Sequence, residues 1–305
     1  MRIVVVGAGG VGGYFGAKLA RAGKDVTFVA RGPHLDAIRR HGLRVRSAVE
    51  GEFTAAAPAV EKVAGLPEAD VVLLCVKSFD TEAAVEGVRP VVGAETAVLS
   101  LQNGVDNEEK IDALLGPGHA VGGVAYVFAA IEAPGVIVHH FAGRIVFGEM
   151  DGRTTPRAAR LREAFGAAGI PAEICGDIRR ALWDKYLIIS AQAGMTALTR
   201  CAVGVIRESP ETWRMFRLIV EELAAVGRAA GIALPPGAED AVLAGAATLA
   251  PHLYSSLHHD LTHGKRLELE ALQGHAVRLG ARVGVATPTV FAVYAALKPH
   301  LEGRH

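Results

Sequence analysis

Three glycines near the N-terminus have the spacing of a phosphate-binding turn. Gly7, Gly9 and Gly12 fit the pattern G-x-G-x-x-G and follow an apolar run at residues 3–6 that is typical of a buried strand. The first glycine permits a tight turn, the second lets backbone amides approach a pyrophosphate, and the third lets a helix pack on the strand. Those amides stand at a helix N-terminus, whose dipole favours an anion. The expected dinucleotide-binding residues are Gly7, Ala8, Gly9, Gly10, Val11 and Gly12.

Arg31 follows a second strand-like run, residues 25–30, where the side chain decides which dinucleotide binds. Sites for NAD usually place Asp or Glu here to accept from the ribose 2′-hydroxyl, whereas a cation accommodates a 2′-phosphate. No acidic residue follows the run until Asp36. A solvated surface arginine is the alternative, but the position favours Arg31 as a 2′-phosphate ligand and NADPH as the cofactor.

Two polar residues follow further predicted parallel strands. Lys77 comes after the apolar run at 69–76, and Asn103 comes after the run at 96–101. Ligands of open α/β sheets bind outside the carboxyl ends of the strands, so both side chains are candidates for lining a cofactor or substrate crevice. The alternatives are a solvated lysine and an asparagine that only shapes the turn with Gly104.

Lys185 lies in a long helical pattern, residues 177–199, and has apolar neighbours. Its side chain either reaches water along an apolar stem or is partly desolvated. Desolvation lowers the pKa of a lysine and makes it a better proton donor near neutral pH. Lys185 is therefore a candidate general acid.

Three more candidates lie in the stretch 254–274. Ser255 and Ser256 offer hydroxyls to a carboxylate or hydroxyl ligand. Glu268 is predicted to lie in a helix that starts after Gly264, where its carboxylate belongs either to a functional site or to a solvated face. His259 and His263 have a spacing compatible with a metal, but no third ligand is evident and we expect no metal site.

These residues require two kinds of scaffold. Alternating strand and helix patterns up to residue 177 predict an α/β Rossmann-type dinucleotide-binding domain at 1–177. The pattern from 178 onward is helical almost throughout, which predicts an all-α substrate and catalytic domain at 178–305. Apolar helices in that half are candidates for a homodimer face.

Composition narrows the class of protein. Lys plus Arg and Asp plus Glu both number 32, so no excess of positive charge favours nucleic acid. The three cysteines lack a C-x-x-C spacing, and no signal peptide or apolar run of about 20 residues is evident. We expect a cytoplasmic protein with a small-molecule substrate and no membrane partner.

Several of these features stand in one order along the chain and together resemble the ketopantoate reductase (2-dehydropantoate 2-reductase) family. The resemblance implies NADPH-dependent reduction of 2-dehydropantoate to pantoate by hydride transfer, a step of pantothenate biosynthesis. The matching segments are G-A-G-G-V-G at 7–12, Arg31, V-K at 76–77, Q-N-G at 102–104, L-W-D-K at 182–185, S-S-L-x-x-D at 255–260 and K-R-L-E-L-E at 265–270 with Gly274.

The resemblance also implies individual roles. Lys185 matches the catalytic acid, Asn103 the residue that orients cofactor and substrate, and Ser256 a residue that touches substrate. Glu268 matches a glutamate beside cofactor and substrate, and Lys77 a lysine lining the cofactor crevice.

Three positions depart from the family pattern. Ile189, Ala193 and Val203 stand where family members place asparagines that hold the substrate's hydroxyl and carboxylate. Loss of each such hydrogen-bond partner costs roughly 1–3 kcal/mol of binding free energy when the substrate group that it held stays unpaired. Two alternatives follow: a reductase of a more apolar 2-oxo acid or ketone, and a non-catalytic NADPH-binding sensor.

Overall fold

A computed structural model describes residues 1–303 of the chain, which form two compact units. The N-terminal unit comprises Met1–Gln102 and Asp106–Ile178. The helical unit comprises Asn103–Val105 and the chain from Arg179 onward. The predicted fold class, an α/β Rossmann-type domain followed by an all-α domain, is confirmed.

One mixed sheet organises the N-terminal unit. Its central strands are parallel and lie in the order β5-β2-β1-β6-β7-β8, so the chain crosses over after β1 and places β2 and β6 on either side of it. The strands are β1 Arg2–Val6, β2 Asp25–Val29, β3 Leu43–Ser47, β4 Gly51–Ala55, β5 Ala59–Val60, β6 Val71–Leu74, β7 Ala97–Ser100, β8 Ala120–Ala133, β9 Val136–Glu149 and β10 Ala172–Ile174.

Strand β1 has near-continuous apolar sequence because it is covered on both faces. Ile3 and Val5 belong to one buried cluster, while Val4 and Val6 belong to the cluster on the other side of the sheet. This is the arrangement expected of parallel strands with helices on both faces. The apolar runs thus hold the carboxyl ends of β1, β2 and β6 in a fixed relation.

Five helices accompany this sheet. They are α1 Gly10–Arg21, α2 Gly32–His41, α3 Thr81–Val88, α4 Asn107–Leu115 and α5 Pro156–Ala167. Helix α1 lies close to β1 and β2 because small residues face the strands: a Cβ at Gly16 would stand 2.5 Å from the Phe28 ring. Close packing here fixes the N-terminus of α1 at the end of β1.

The remaining strands extend the sheet by both kinds of pairing: β8–β9 and β3–β4 are antiparallel, whereas β3 and β10 each pair with β9 in parallel. Strands β8 and β9 form a long hairpin, and β3 pairs with β9 and with β4. His139 on β9 is fully buried; its Nδ1 lies 2.8 Å from the Ser47 hydroxyl and its ring stacks on Tyr14. The hairpin therefore places His139 under α1.

The helical unit packs around its own apolar core. Leu182, Tyr186 and Ala193 lie on one buried face of the long helix, and Val105 packs against the same core. The helices are α6 Ile178–Thr199, α7 Val203–Glu208, α8 Pro210–Ala229, α9 Ala238–Ala247, α10 Ser256–Thr262, α11 Gln273–Val283 and α12 Pro288–Leu297.

Candidate active site

The three motif glycines occupy three different environments in the N-terminal unit. Gly7 has a φ of +94°, and a Cβ there would lie 2.9 Å from the backbone of Cys75. A Cβ at Gly12 would lie 2.2 Å from the Gly7 carbonyl oxygen. At Gly9, in contrast, no atom of the described residues lies within 4 Å of an added Cβ. Gly7 and Gly12 are therefore required by packing, whereas at Gly9 the absence of a side chain leaves the backbone accessible to a ligand.

This open position lies at the start of a helix. Gly9 is the N-cap residue of α1 and adopts an extended backbone, and the first amides of a helix have no partner within the helix. Such amides, together with the helix dipole, suit an anionic group. The loop therefore fits the pyrophosphate of a dinucleotide.

His34 supports the glycine loop and was not singled out by sequence reasoning. The Gly135 amide donates to His34 Nδ1 at 3.0 Å, so the neutral ring carries its proton on Nε2 and donates to the Ala8 carbonyl at 2.7 Å. Burial lowers the pKa of His34, although the bond to Ala8 opposes that shift. A histidine three residues beyond Arg31 gives no sequence signal, because both partners are backbone groups distant along the chain.

Arg31 lies at the predicted place, directly beyond β2. It is the N-cap residue of α2, and its side chain is 78% exposed. Its Nη2 donates to Asp80 Oδ2 at 3.2 Å. Arg31 thus presents a mostly solvated guanidinium at the end of β2, which suits a phosphate ligand, and it has a carboxylate partner that the sequence did not reveal.

Lys77 likewise lies beyond a strand of the N-terminal unit. It follows β6 and precedes a short 3-10 turn at Ser78–Asp80. Because β6 pairs with β1, Lys77 belongs to the strand ends that flank the glycine loop. This is the region in which α/β sheets bind their ligands.

Lys185 and Asn103 come together in the helical unit. Lys185 lies on α6, and its Nζ donates to Asn103 Oδ1 at 3.0 Å. Desolvation lowers the pKa of Lys185 from the usual 10.5 to about 8, while the negative charge of Glu268 opposes that shift. A lysine with this pKa is protonated at neutral pH and gives up its proton readily.

Glu268 is buried, with 6% of its surface exposed. The prediction of a helix beginning after Gly264 is wrong at this position: Glu268–Glu270 form a single 3-10 turn, and α11 begins only at Gln273. Leu267, Glu268 and Leu269 are all buried, and three consecutive buried residues do not fit the single apolar stripe of an amphipathic helix. The alternative of a solvated face for Glu268 is also wrong.

The two candidate serines differ in their surroundings. Ser255 is the N-cap residue of α10; its hydroxyl accepts from the His258 amide at 3.0 Å and lies 2.7 Å from the buried Thr196 hydroxyl. Ser256, the first residue of α10, is exposed. Helix capping already engages the Ser255 hydroxyl, so Ser256 is the more accessible of the pair.

The three apolar replacements are accommodated by the helical core. Ala193 is buried in that core, Ile189 is partly buried against it, and Val203 is fully buried at the start of α7. Ile189 lies one helical turn after Lys185 on α6. The side chain next to the lysine along the helix is therefore apolar.

Residues 1–303 lack two kinds of feature. That part of the chain contains no group of three or more His, Cys, Asp or Glu side chains arranged to hold a metal ion. None of its helices combines the length and apolar character that crossing a membrane requires.

Known proteins of one family match this chain over nearly its whole length. The model of the ketopantoate reductase PanE/ApbA family matches residues 3–152, and the model of its C-terminal part matches residues 177–301. A 2-dehydropantoate 2-reductase of Mesorhizobium japonicum is 33% identical, over 98% of this chain and 97% of its own length. An uncharacterized oxidoreductase of Bacillus subtilis, YkpB, is 31% identical over 98% of each chain.

Solved structures give the same result. The crystal structure of a PanE/ApbA family ketopantoate reductase from Ralstonia eutropha superposes with a TM-score of 0.91, at 34% identity over 98% of each chain. The Rossmann sheet and its glycine loop fit a dinucleotide, and together with these relatives they define a nicotinamide dinucleotide-dependent oxidoreductase. The chain belongs to the ketopantoate reductase family, and is an NADP-dependent enzyme that acts on a CH–OH group.

Proposed function

We propose that this enzyme reduces 2-dehydropantoate to pantoate with NADPH, and that Lys185 is the general acid. The observation that carries this proposal is the desolvated ammonium of Lys185, which donates to Asn103 and has a pKa of about 8. Relatives that share about a third of its residues are named 2-dehydropantoate 2-reductase. Both the chemistry of the site and the relatives therefore support reduction of a 2-oxo acid.

Lys185 acts where charge develops. When bound, NADPH supplies a hydride to the ketone carbon. Negative charge then grows on the ketone oxygen, and an ammonium at that oxygen stabilises the transition state more than the ground state. Proton donation by Lys185 completes the alcohol. General acid catalysis typically contributes about 10²–10⁴-fold in rate, which is roughly 3–5 kcal/mol.

Asn103 and Glu268 prepare the lysine for this step. The Asn103 amide oxygen accepts one N–H of the ammonium and thereby orients the group. The negative charge of the buried Glu268 raises the pKa of Lys185 against the effect of desolvation, so that the lysine remains protonated at neutral pH. The proposed catalytic residues are Lys185, Asn103 and Glu268.

We propose a division of labour along the chain. Residues 1–177 bind the dinucleotide through the glycine loop, Arg31 and Lys77, with the guanidinium on the 2′-phosphate. Residues 178–305 bind the substrate, to which Ser256 offers an exposed hydroxyl. Asn103 extends that set because it groups with the helical unit.

A second candidate function is reduction of a more apolar 2-oxo acid. Ile189, one turn from Lys185, favours it, because an isoleucine contributes apolar contact where an asparagine would hydrogen-bond a hydroxyl. A substrate with an alkyl or aryl group in place of the hydroxyl would lose no hydrogen bond when isoleucine replaces asparagine there.

The experiment that tests the proposal is steady-state oxidation of NADPH with a panel of 2-oxo acids. The panel contains 2-dehydropantoate, its analogue without the hydroxyl, branched-chain 2-oxo acids and phenylglyoxylate, and Lys185→Ala is the control protein. We expect the highest kcat/KM with 2-dehydropantoate. A higher value with an apolar acid would establish the second candidate, and no turnover with any acid would contradict the proposal.

A further inference from the structure

The acidic partner of Arg31 has a consequence for cofactor selection. We propose that Asp80 is a specificity-determining residue that weakens the preference of the site for NADPH and keeps it open to NADH. This inference rests on the proposed role of Arg31 as the 2′-phosphate ligand. It concerns the N-terminal unit alone, to which both residues belong.

The positions of the two residues in the sheet support this role. Arg31 follows β2 and Asp80 follows β6, the two strands that pair with β1 on either side. Strands two places apart lie about 10 Å from one another. The ion pair from Arg31 Nη2 to Asp80 Oδ2, at 3.2 Å, therefore bridges the carboxyl end of β1, where the glycine loop begins. The adenosine half of a dinucleotide held by that loop meets both side chains.

The conformation of Asp80 is a second, independent observation. Asp80 is the N-cap residue of α3, a position at which aspartate normally accepts a hydrogen bond from the first turn of the helix. Within residues 1–303 its side chain makes no such capping bond, and its carboxylate lies against Arg31 instead. The carboxylate is thus directed to Arg31 and not to the helix.

The chemistry of the pair is suited to both nucleotides. A 2′-phosphate gains the Arg31 guanidinium, but it competes with Asp80 for that cation and is repelled by the carboxylate. A ribose 2′-hydroxyl has no charge and donates well to a carboxylate, which is the device that NAD sites use. One side chain of the pair therefore favours NADPH, and the other favours NADH.

Binding of the adenosine half tests this inference without any turnover. Dissociation constants for adenosine 2′,5′-bisphosphate and for adenosine 5′-monophosphate are measured by calorimetry with the wild type, Asp80→Asn and Glu82→Gln. The last variant is a matched control, because Glu82 is an exposed acid in the first turn of the same helix. Asp80→Asn preserves the shape of the side chain and removes its charge. NADPH and NADH are titrated in parallel.

We expect Asp80→Asn to raise the affinity for the bisphosphate, relative to that for the monophosphate, by about tenfold. The affinity for NADPH relative to that for NADH should rise as well. Glu82→Gln should change the ratio by less than about twofold. An equal change in the two variants, or no change in Asp80→Asn, would overturn the role of Asp80 alone. Failure of the wild type to bind either nucleotide would overturn the proposed cofactor site, and this inference with it.

Discussion

Replacing Lys185 by methionine should stabilise the folded protein while it lowers the rate of turnover by about 10²–10⁴-fold. The structure lowers the pKa of this lysine from 10.5 to about 8 by desolvation. The folded state therefore holds the charged ammonium less favourably than the unfolded chain does. Methionine has a similar length and no charge, so it removes this cost.

The magnitude follows from linkage between protonation and folding. One pKa unit corresponds to about 1.4 kcal/mol, so a shift of this size costs up to about 3 kcal/mol at pH 7. Loss of the hydrogen bond to Asn103 offsets roughly 1 kcal/mol of the gain. We expect Lys185→Met to raise the free energy of unfolding by about 2 kcal/mol at pH 7.

The pH dependence provides the control. A lysine whose folded pKa is depressed loses its proton first in the folded state, so between pH 8 and the usual pKa the unfolded state binds more protons. The free energy of unfolding of the wild type should therefore rise with pH over that interval, while that of Lys185→Met should not gain this contribution. The difference in stability between the two proteins should then disappear. Urea unfolding at a series of pH values measures both effects. A variant that is less stable than the wild type, by an amount independent of pH, would refute the reasoning.

Three more outcomes are expected. The wild-type kcat/KM should fall about tenfold per pH unit above pH 8, as Lys185 loses its proton, and a flat profile to pH 10 would contradict its role as the acid. Arg31→Ala should raise the dissociation constant for NADPH by about tenfold or more and that for NADH by only a few-fold, as measured by fluorescence titration. Equal losses of affinity for the two nucleotides would argue against a 2′-phosphate contact. Gly12→Ala should lower stability by about 1–3 kcal/mol because its Cβ meets the Gly7 carbonyl, while Gly9→Ala should keep the stability and weaken nucleotide binding.

Local patterns were sufficient for the parts of the fold that depend on neighbours in sequence. The apolar runs of β1 and β2 and the glycines between them identified the first crossover, because burial on both faces and close helix packing leave a direct signature. The pairing of β3 with β9, and the two-residue strand β5, could not be predicted. Those pairings join segments far apart along the chain and depend on the assembled sheet.

The candidate site shows the same limit at the level of side chains. The strand-end rule selected Lys77 and Asn103, since it follows from sheet geometry alone. The partnership of Arg31 with Asp80 was missed because 49 residues separate them. For Lys185 the sequence allowed both a solvated and a desolvated ammonium, and only the packing of the helical unit distinguishes them. The alternation of leucine and glutamate at residues 267–270 departs from helical periodicity, and it was the available sequence signal against a helix around Glu268.

The most direct test of the account is the rate of NADPH oxidation in a single turnover. A preformed complex of Lys185→Ala with NADPH is mixed with saturating 2-dehydropantoate, and its rate is compared with that of the wild type. We predict a rate lower by about 10²–10⁴-fold, with the dissociation constant of NADPH changed by less than a few-fold. A rate within a few-fold of the wild type would show that another group protonates the ketone oxygen.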